Sequence, residues 1–431
     1  MKTSQPLTLR RNFSWTFLGN VVYAGCQWGM LVVLAKLGSP EMVGQFTLGL
    51  AITAPVFMFT NLQLRHIQAT DAKKQYLFND YLSLRVISTV IGLAIVAIIT
   101  LAAGYRWQIS LVILLLGLAK AFESISDVFY GLIQQQERMD RIALSLMIKG
   151  PLSLLTLGLG VYLSGSVIWG MVGLVISWAI VAIGYDLRNG KAILKNTQEA
   201  MYSGEYLPPS DAGIKLNCDR QKLVSLVWLA LPLGLGMLLI SLNVNVPRYF
   251  IERYLGERQL GFFAAIAYLM VAGNMVVNAL GESASPRLAK YYAAGDSKAF
   301  KKLLIRLVGI AIVLGGLAIV IAKVGGSQVL TLLYQPEYAQ HVDLFVWLMV
   351  AAGINYISSF LGYGMTAARY FRIQMPIFFI ATAVSALSCF WLVPTFELKG
   401  AAIALILAAI IQIIMTFGVI IHALKKINQR Q

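Results

Sequence analysis

Charged residues are scarce in this sequence, since Asp, Glu, Lys and Arg make up only 13% of its 431 residues. Typical globular domains carry about twice that share of charge. The chain instead has long apolar runs, with 58% hydrophobic residues and a mean hydropathy of +0.73. This composition excludes a soluble globular protein and predicts a membrane protein built from apolar helices.

Cysteine and histidine are also rare, with three of each. Cys26 and Cys389 lie in apolar runs and Cys218 lies in a polar segment, so neither a disulfide framework nor a metal cluster is indicated. The histidines are far apart, and the glycine-lysine loop that binds nucleotide phosphates is missing. The sequence therefore predicts no catalytic residue, no metal site and no cofactor.

Twelve apolar segments are each long enough to cross a bilayer, because about 20 residues at 1.5 Å each span the hydrocarbon core. An even number of spans places both termini on one side of the membrane. Most of the 35 Lys and Arg residues lie on that side, which identifies it as the cytoplasm. The predicted spans are 13–35, 42–64, 82–104, 109–133, 142–164, 166–187, 223–247, 259–281, 303–324, 343–367, 373–394 and 400–424.

The net charge of the protein is +16, and most of the basic residues that produce it lie at the predicted inner face. Basic residues at the inner face meet the anionic headgroups of the lipid bilayer. A strongly basic protein can also bind nucleic acid, but a nucleic-acid partner is not predicted here because the basic residues line a membrane surface.

The two halves of the chain resemble each other. Both place a short glycine-containing polar link between consecutive spans, and five identities recur at a constant offset of 231 residues. Six spans per half make the halves parallel repeats, a design known in transporters, with the substrate site between them. The matched pairs are Phe129 and Phe360, Gly131 and Gly362, Arg138 and Arg369, Arg141 and Arg372, and Ile142 and Ile373.

The longest polar segment, interrupted by Pro208 and Pro209, separates these halves. We expect an N-terminal six-helix bundle over 1–187, a cytoplasmic linker loop over 188–222 and a C-terminal six-helix bundle over 223–431. The predicted fold class is an all-α polytopic membrane protein of about 12 transmembrane helices in two parallel bundles.

The fourth span holds three ionisable residues, Lys120, Glu123 and Asp127. At 100° per residue they fall within an arc of about 60°, so they form one stripe on the helix. Each would cost about 2.5–3.5 kcal/mol if it faced lipid. The stripe is therefore expected to face a water-filled cavity or, alternatively, to form salt bridges between helices. Lys120 and Glu123 are spaced for an ion pair.

Polar residues in other spans add candidate binding groups. Arg248 follows Pro247, which is expected to open the helix backbone and expose carbonyls to a cavity. A guanidinium binds phosphate through two hydrogen bonds, so Arg248 is a candidate for an anionic headgroup, the alternative being a side chain that reaches the outer interface. Candidates for hydrogen bonds to a substrate are Asn20, Gln27, Asn245, Asn274 and Asn278.

The sequence resembles the polysaccharide-transporter branch of the MOP exporter superfamily, specifically the Wzx-type flippases of O-antigen units. The resemblance covers nearly the whole chain and is weakest over 188–222. It rests on the stretches "RNFSWTFLGNVVYAG", "ESISDVFYGLIQQQERMDRIALS", "NVNVPRYFIERYLGERQLGFFAAIAYL" and "PRLAKYYAAGD".

This resemblance implies two six-helix bundles in a V and a cationic cavity that carries a polyprenyl-pyrophosphate-linked oligosaccharide between the leaflets of a bacterial inner membrane. Lys120 and Arg248 are then expected to bind the pyrophosphate, while Glu123 and Asp127 are expected to couple transport to a H⁺ or Na⁺ gradient. Glycan polymerase and chain-length proteins are the implied partners. A MATE-like drug antiporter and a membrane-embedded glycan polymerase or ligase remain alternatives.

Overall fold

The computed structural model describes residues 7–71, 75–202 and 219–428, which are almost entirely helical. Pro208, Pro209 and Cys218 lie outside these residues. The α-helices are α1 Leu9–Leu37, α2 Pro40–Thr60, α3 Leu64–Thr70, α4 Phe78–Ala102, α5 Trp107–Gln135, α6 Met139–Ser164, α7 Val167–Val181, α8 Leu187–Tyr202, α9 Arg220–Tyr268, α10 Met270–Ala293, α11 Ser297–Leu333, α12 Val342–Ala367 and α13 Gln374–Asn428. A π-helical turn at Ala182–Asp186 joins α7 to α8, and 3₁₀ turns at Pro336–His341 and Phe371–Ile373 precede α12 and α13.

Ten helical stretches in the described residues are long and apolar enough to cross a membrane. Two of them, 220–293 and 371–426, hold two crossings each. In the first the backbone leaves the helical conformation at Gly256 (φ 84°), and in the second at Glu397 (φ 49°). The chain is thus a multi-pass membrane protein with about 12 crossing helices, as the sequence predicts.

The helix α9 is interrupted at a different residue from the one expected. Its backbone stays helical through Pro247 and breaks at Gly256, so the prediction that Pro247 opens the backbone is wrong. A φ of +84° costs little only for glycine, which has no Cβ. The break therefore belongs to the link before the eighth crossing, and Arg248 lies on an intact helix.

The chain divides into two compact units. The first unit consists of Met1–Gly38 and Gly49–Leu238, and the second unit of Ser39–Leu48 and Leu239–Gln431. The start of α2 therefore belongs to the second unit and the start of α9 to the first. The predicted bundle boundaries at 187 and 223 do not include this exchange of segments.

Close backbone packing explains why the start of α2 belongs to the second unit. A Cβ at Gly44 would collide with the Glu257 backbone, and one at Gly261 would collide with the Pro40 carbonyl. The amide of Gln45 also donates to the Glu257 carboxylate at 2.6 Å. Only glycine allows the two helices to approach this closely.

Part of the segment predicted as a linker loop is helical, so that expectation is wrong for residues 188–202. The helix α8 is amphipathic: Ile193 is buried and Leu194 packs beside it in a small apolar core. Lys191 and Lys195, on the opposite side, are exposed. These two neighbouring apolar residues pack the helix against α5 and α6.

The repeat also has a counterpart in the backbone. The helices α5 and α12, which carry the matched phenylalanines, are each followed by a residue in the left-handed conformation, Glu137 at φ 53° and Arg369 at φ 64°. These two residues are one position away from the sequence match, because Arg369 is matched with Arg138. Phe129 and Phe360 are both buried. Each unit thus ends its fourth crossing with the same kind of turn.

Candidate functional site

In the first unit, Lys120, Glu123 and Asp127 lie along α5 and form what we call the charged stripe. The Lys120 ammonium lies 2.6 Å from the Glu123 carboxylate, which confirms the predicted ion pair. The three side chains keep 23%, 29% and 27% of their surface exposed. Each of them is therefore mostly covered by protein and keeps about a quarter of its side chain exposed.

Asp127 is held by two arginines from other helices. Arg85 on α4 contacts its carboxylate at 2.9 Å, and Arg65 on α3 lies 3.6 Å away. Arg85 is fully buried and also donates to Asn61, while Arg65 donates to Gln134 at 3.0 Å. Asp127 thus forms the interhelical salt bridges that the sequence offered as the alternative to a cavity-facing role.

The first helix contributes less than expected. The Tyr23 hydroxyl donates to Glu123 at 3.0 Å, and Gln27 lies within hydrogen-bonding reach of the same hydroxyl. Asn20 is exposed. Gln27 is therefore near the charged stripe, whereas Asn20 is not placed in this network by any hydrogen bond.

Three buried residues of the first unit were missed. Lys149 on α6 is 1% exposed, Asp186 is fully buried, and Tyr130 on α5 lies between them. Asp186 lies at the end of the π-helical turn, whereas Lys149 lies well inside α6 (Met139–Ser164). A signal was present in the sequence, because Ser145, Lys149 and Ser153 recur every four residues and so form a polar stripe on α6.

In the second unit, a cavity of about 210 Å³ contains Arg248 and is called the arginine cavity here. Apolar side chains form much of its wall, with a few polar groups between them. This mixture is typical of small-molecule sites. The polar and aromatic lining residues are Asn243, Arg248, Phe263, Tyr268, Asn274, Asn355 and Gln412.

Arg248 is held at the cavity wall by an amide rather than a carboxylate. Its guanidinium donates to the Asn245 side chain at 2.9 Å, and Asn245 in turn donates to the Ser241 carbonyl at 2.8 Å. The other groups acting on its charge are Tyr249 and Tyr268. Arg248 makes no ion pair with any carboxylate in the part of the chain that the structure describes.

The two predicted asparagines of α10 have different surroundings. Asn274 lines the cavity and accepts from Asn355 at 3.4 Å. Asn278, one turn further along, is exposed and accepts a long hydrogen bond of 3.5 Å from Tyr363. Asn355 and Gln412 lie on other helices far along the chain, so no spacing in the sequence connects them with Arg248.

The arrangement in the second unit suits an anionic ligand with hydroxyl groups. A guanidinium without a counter-ion offers charge-assisted hydrogen bonds to phosphate oxygens. Side-chain amides beside it offer both donors and acceptors. In the first unit, by contrast, Lys120, the cation of the charged stripe, already contacts the Glu123 carboxylate.

Comparison with known proteins agrees with this architecture. A family profile described as "Polysaccharide biosynthesis protein" matches residues 9–292. The capsular polysaccharide biosynthesis protein CapF of Staphylococcus aureus is 28% identical over 413 residues, covering 94% of this chain and 97% of CapF.

Two solved structures share the fold. An inward-facing multidrug resistance transporter of the MATE family in the MOP superfamily has a TM-score of 0.64 at 13% identity, covering 100% of this chain and 96% of that one. The lipid II flippase MurJ, in an inward closed conformation, has a TM-score of 0.66 at 12% identity, covering 96% and 89%. The predicted all-α, MATE-like fold class is thereby confirmed.

Proposed function

This chain belongs to the polysaccharide biosynthesis protein family, and from that premise we propose that it is a lipid flippase. It moves a polyprenyl-pyrophosphate-linked oligosaccharide unit from the inner to the outer leaflet by alternating access, for assembly of O-antigen, capsule or exopolysaccharide. Similarity to CapF supports a role in polysaccharide assembly. The fold shared with a MATE transporter and with MurJ supports transport rather than catalysis.

The observation that carries this proposal is Arg248 in the arginine cavity. Its guanidinium faces a cavity with amides and without a carboxylate partner, which favours binding of the pyrophosphate. The volume of about 210 Å³ lies below the range of about 300–1,000 Å³ for drug-sized ligands. In this conformation the cavity therefore suits the pyrophosphate and an adjoining sugar rather than a whole repeat unit.

The remaining predicted site residues fit this proposal to different degrees. Asn274 lines the cavity and is assigned to a sugar hydroxyl, whereas Asn245 positions Arg248. Lys120 must leave Glu123 before it binds pyrophosphate. Roles for Asn20, Gln27 and Asn278 in sugar binding, and for Glu123 and Asp127 in ion coupling, stay predictions.

We place the protein in a bacterial inner membrane with both termini in the cytoplasm. The asymmetry of Lys and Arg between the two sides supports this orientation. A glycan polymerase and chain-length proteins, acting on the outer face, are the partners that would use the translocated unit. Fluorescent and alkaline-phosphatase reporters fused after the last residue test the orientation, and a C-terminal reporter active only in the periplasm would contradict it.

The experiment that tests the function is deletion of the gene in the cells that carry it, with analysis of lipid-linked saccharides. We expect loss of surface polysaccharide and accumulation of single units accessible only from the cytoplasmic leaflet. Normal surface polysaccharide with new sensitivity to cationic dyes would instead support the drug antiporter. Units that reach the outer leaflet and stay unpolymerised would support a polymerase or ligase.

A further inference from the structure

The first unit buries a second set of ionisable groups beside the charged stripe. Asp186 ends the π-helical turn Ala182–Asp186 and is fully buried. Lys149 on α6 is 1% exposed and Tyr130 on α5 is 4% exposed. Turns of π-helix are rare and often mark functional sites, because they redirect a side chain within an otherwise regular helix.

These three side chains form one hydrogen-bonded chain. The Lys149 ammonium donates to the Tyr130 hydroxyl at 3.3 Å, and that hydroxyl donates to the Asp186 carboxyl at 3.5 Å. The hydroxyl of Ser145 lies 2.7 Å from that of Tyr130. Because a tyrosine hydroxyl both accepts and donates, it can pass a proton between the groups on either side.

Asp186 differs from the carboxylates of the charged stripe. Glu123 and Asp127 contact basic side chains, whereas Asp186 forms no ion pair with a described Lys or Arg. Its second carboxyl oxygen makes no hydrogen bond. The hydrogen-bond donors beside Asp186 are the neutral hydroxyls of Tyr130, Ser126 and Ser145. A buried carboxylate that has only neutral donors and no ion pair is costly in its charged form, so such an environment favours the neutral acid.

Few other ionisable groups lie close to the Asp186 carboxyl. The titratable groups that face Asp186 are Tyr130 from α5, Lys149 from α6 and the adjacent Tyr185 on its own turn. The described basic residues of α8, which follows the turn, are exposed. Lys149 is thus the cation whose charge most directly depends on the state of Asp186.

Lys149 also lies close to the charged stripe and so connects it with the hydrogen-bonded residues Tyr130 and Asp186. Its ammonium lies 5.6 Å from the ring centre of Trp178, and Lys120 lies 5.3 Å from the same ring. The charge of Glu123 acts on Lys149 as well. A change of protonation at Lys149 or Asp186 therefore alters the electrostatic environment of the stripe.

We infer that Asp186, Tyr130 and Lys149 form a proton-binding site that couples transport to a proton gradient. This inference rests on the proposed flippase function. A proton leaves the Lys149 ammonium for the Tyr130 oxygen while the proton of that hydroxyl passes to Asp186, which yields a neutral amine and a carboxylic acid. Uptake of one proton from water then restores the ammonium, so the loaded site holds one proton more than the unloaded site.

Infrared difference spectroscopy of the purified full chain, recorded during a pH titration, tests the site without substrate. We expect a carbonyl band of a protonated carboxylic acid that shifts when the protein is labelled with ¹³C-aspartate. Asp186→Asn is expected to abolish the band, and Tyr130→Phe to move it. Asp140→Asn, which alters an aspartate paired with Arg138, is the matched control and is expected to leave the band unchanged.

A wild-type spectrum without a titrating aspartic acid band, or a band that disappears in Glu123→Gln or Asp127→Asn instead, overturns the inference. If Asp186→Asn fails to fold, the isotope shift of the band in wild-type protein labelled with ¹³C-aspartate still shows whether an aspartic acid takes up the proton. Vesicle transport of a polyprenyl-pyrophosphate disaccharide, with and without a pH gradient, is the second readout. A wild-type protein that shows the band and moves no lipid contradicts the proposed function, whereas transport that ignores the gradient contradicts only the coupling.

Discussion

The charged stripe of the first unit and the arginine cavity of the second unit differ in how their charges are paired. In the first unit, Lys120 and Arg85 each contact a carboxylate, and the carboxylates lie on the same helix α5. In the second unit, Arg248 faces a cavity with an amide partner, Asn245, and without an ion pair among the described residues. The two units thus share a helical architecture and differ in their electrostatics.

This difference indicates what each set of charges does. An ion pair that is mostly covered by protein holds helices in place, because removing one partner leaves an uncompensated charge. A buried guanidinium without a carboxylate keeps its charge available to an incoming anion. We therefore expect substitutions at the salt bridges of Asp127 to lower stability first, and substitutions in the arginine cavity to lower transport first.

The largest effect is expected for Asp127→Asn. It leaves the fully buried guanidinium of Arg85 without its carboxylate counter-ion, so the free energy of unfolding should fall by about 3 kcal/mol. Chemical unfolding in detergent measures this change. The double variant Arg85→Met with Asp127→Asn should recover most of the loss, and a double variant as unstable as the single one would contradict the ion-pair explanation.

Arg248→Ala should reduce transport strongly and stability little. Loss of a charge-assisted contact to pyrophosphate is worth about 2 kcal/mol, which corresponds to about a 30-fold lower rate at limiting substrate. Outer-leaflet appearance of a polyprenyl-pyrophosphate disaccharide in vesicles measures the rate.

Two further variants sharpen that result. Arg248→Lys keeps the charge without the bidentate geometry and should fall between wild type and alanine. Arg258→Ala, which lies beyond the break at Gly256 and whose exposed side chain contacts Glu41 and Glu337, is the matched control and should transport normally. If Arg258→Ala lowers transport as much as Arg248→Ala, the cavity is not the pyrophosphate site.

The asparagines of α10 provide a finer test within the second unit. Asn274→Ala removes an amide from the cavity wall and should lower transport about fivefold, the effect of a neutral hydrogen bond of about 1 kcal/mol. Asn278→Ala, one turn away and exposed, should change it less than about twofold. The same vesicle assay compares them, and equal losses would show that the cavity does not define the sugar contacts.

The sequence predicts the local features of this molecule well. Apolar length predicts the crossing helices, and the helical spacing of residues 120 and 123 predicts their ion pair, because both are set within one element. The arrangement that depends on tertiary packing was not predictable: Arg85 reaches Asp127 from another helix, and Asn355 and Gln412 join Arg248 from distant crossings.

The same limit explains the missed buried charges. Asp186 lies near the end of an apolar segment, where a charge is usually assigned to the interface, and Lys149 lies inside α6 (Met139–Ser164). Only packing shows that both side chains are buried. The four-residue recurrence of Ser145, Lys149 and Ser153 was the available signal for α6. No comparable pattern marks Asp186, since the π-helical turn shifts its helical phase.

The smallest effect is expected for Glu123→Gln, and it separates the two ion pairs of the first unit. Lys120 and Glu123 lie one turn apart on one helix and are each about a quarter exposed, so their pair should contribute only about 0.5 kcal/mol to the free energy of unfolding. Chemical unfolding compares this variant with Glu282→Gln, which alters an exposed carboxylate in the second unit. A loss as large as that of Asp127→Asn would mean that the stripe acts as one electrostatic unit; a small loss leaves Asp127 as the residue that ties α5 to α3 and α4.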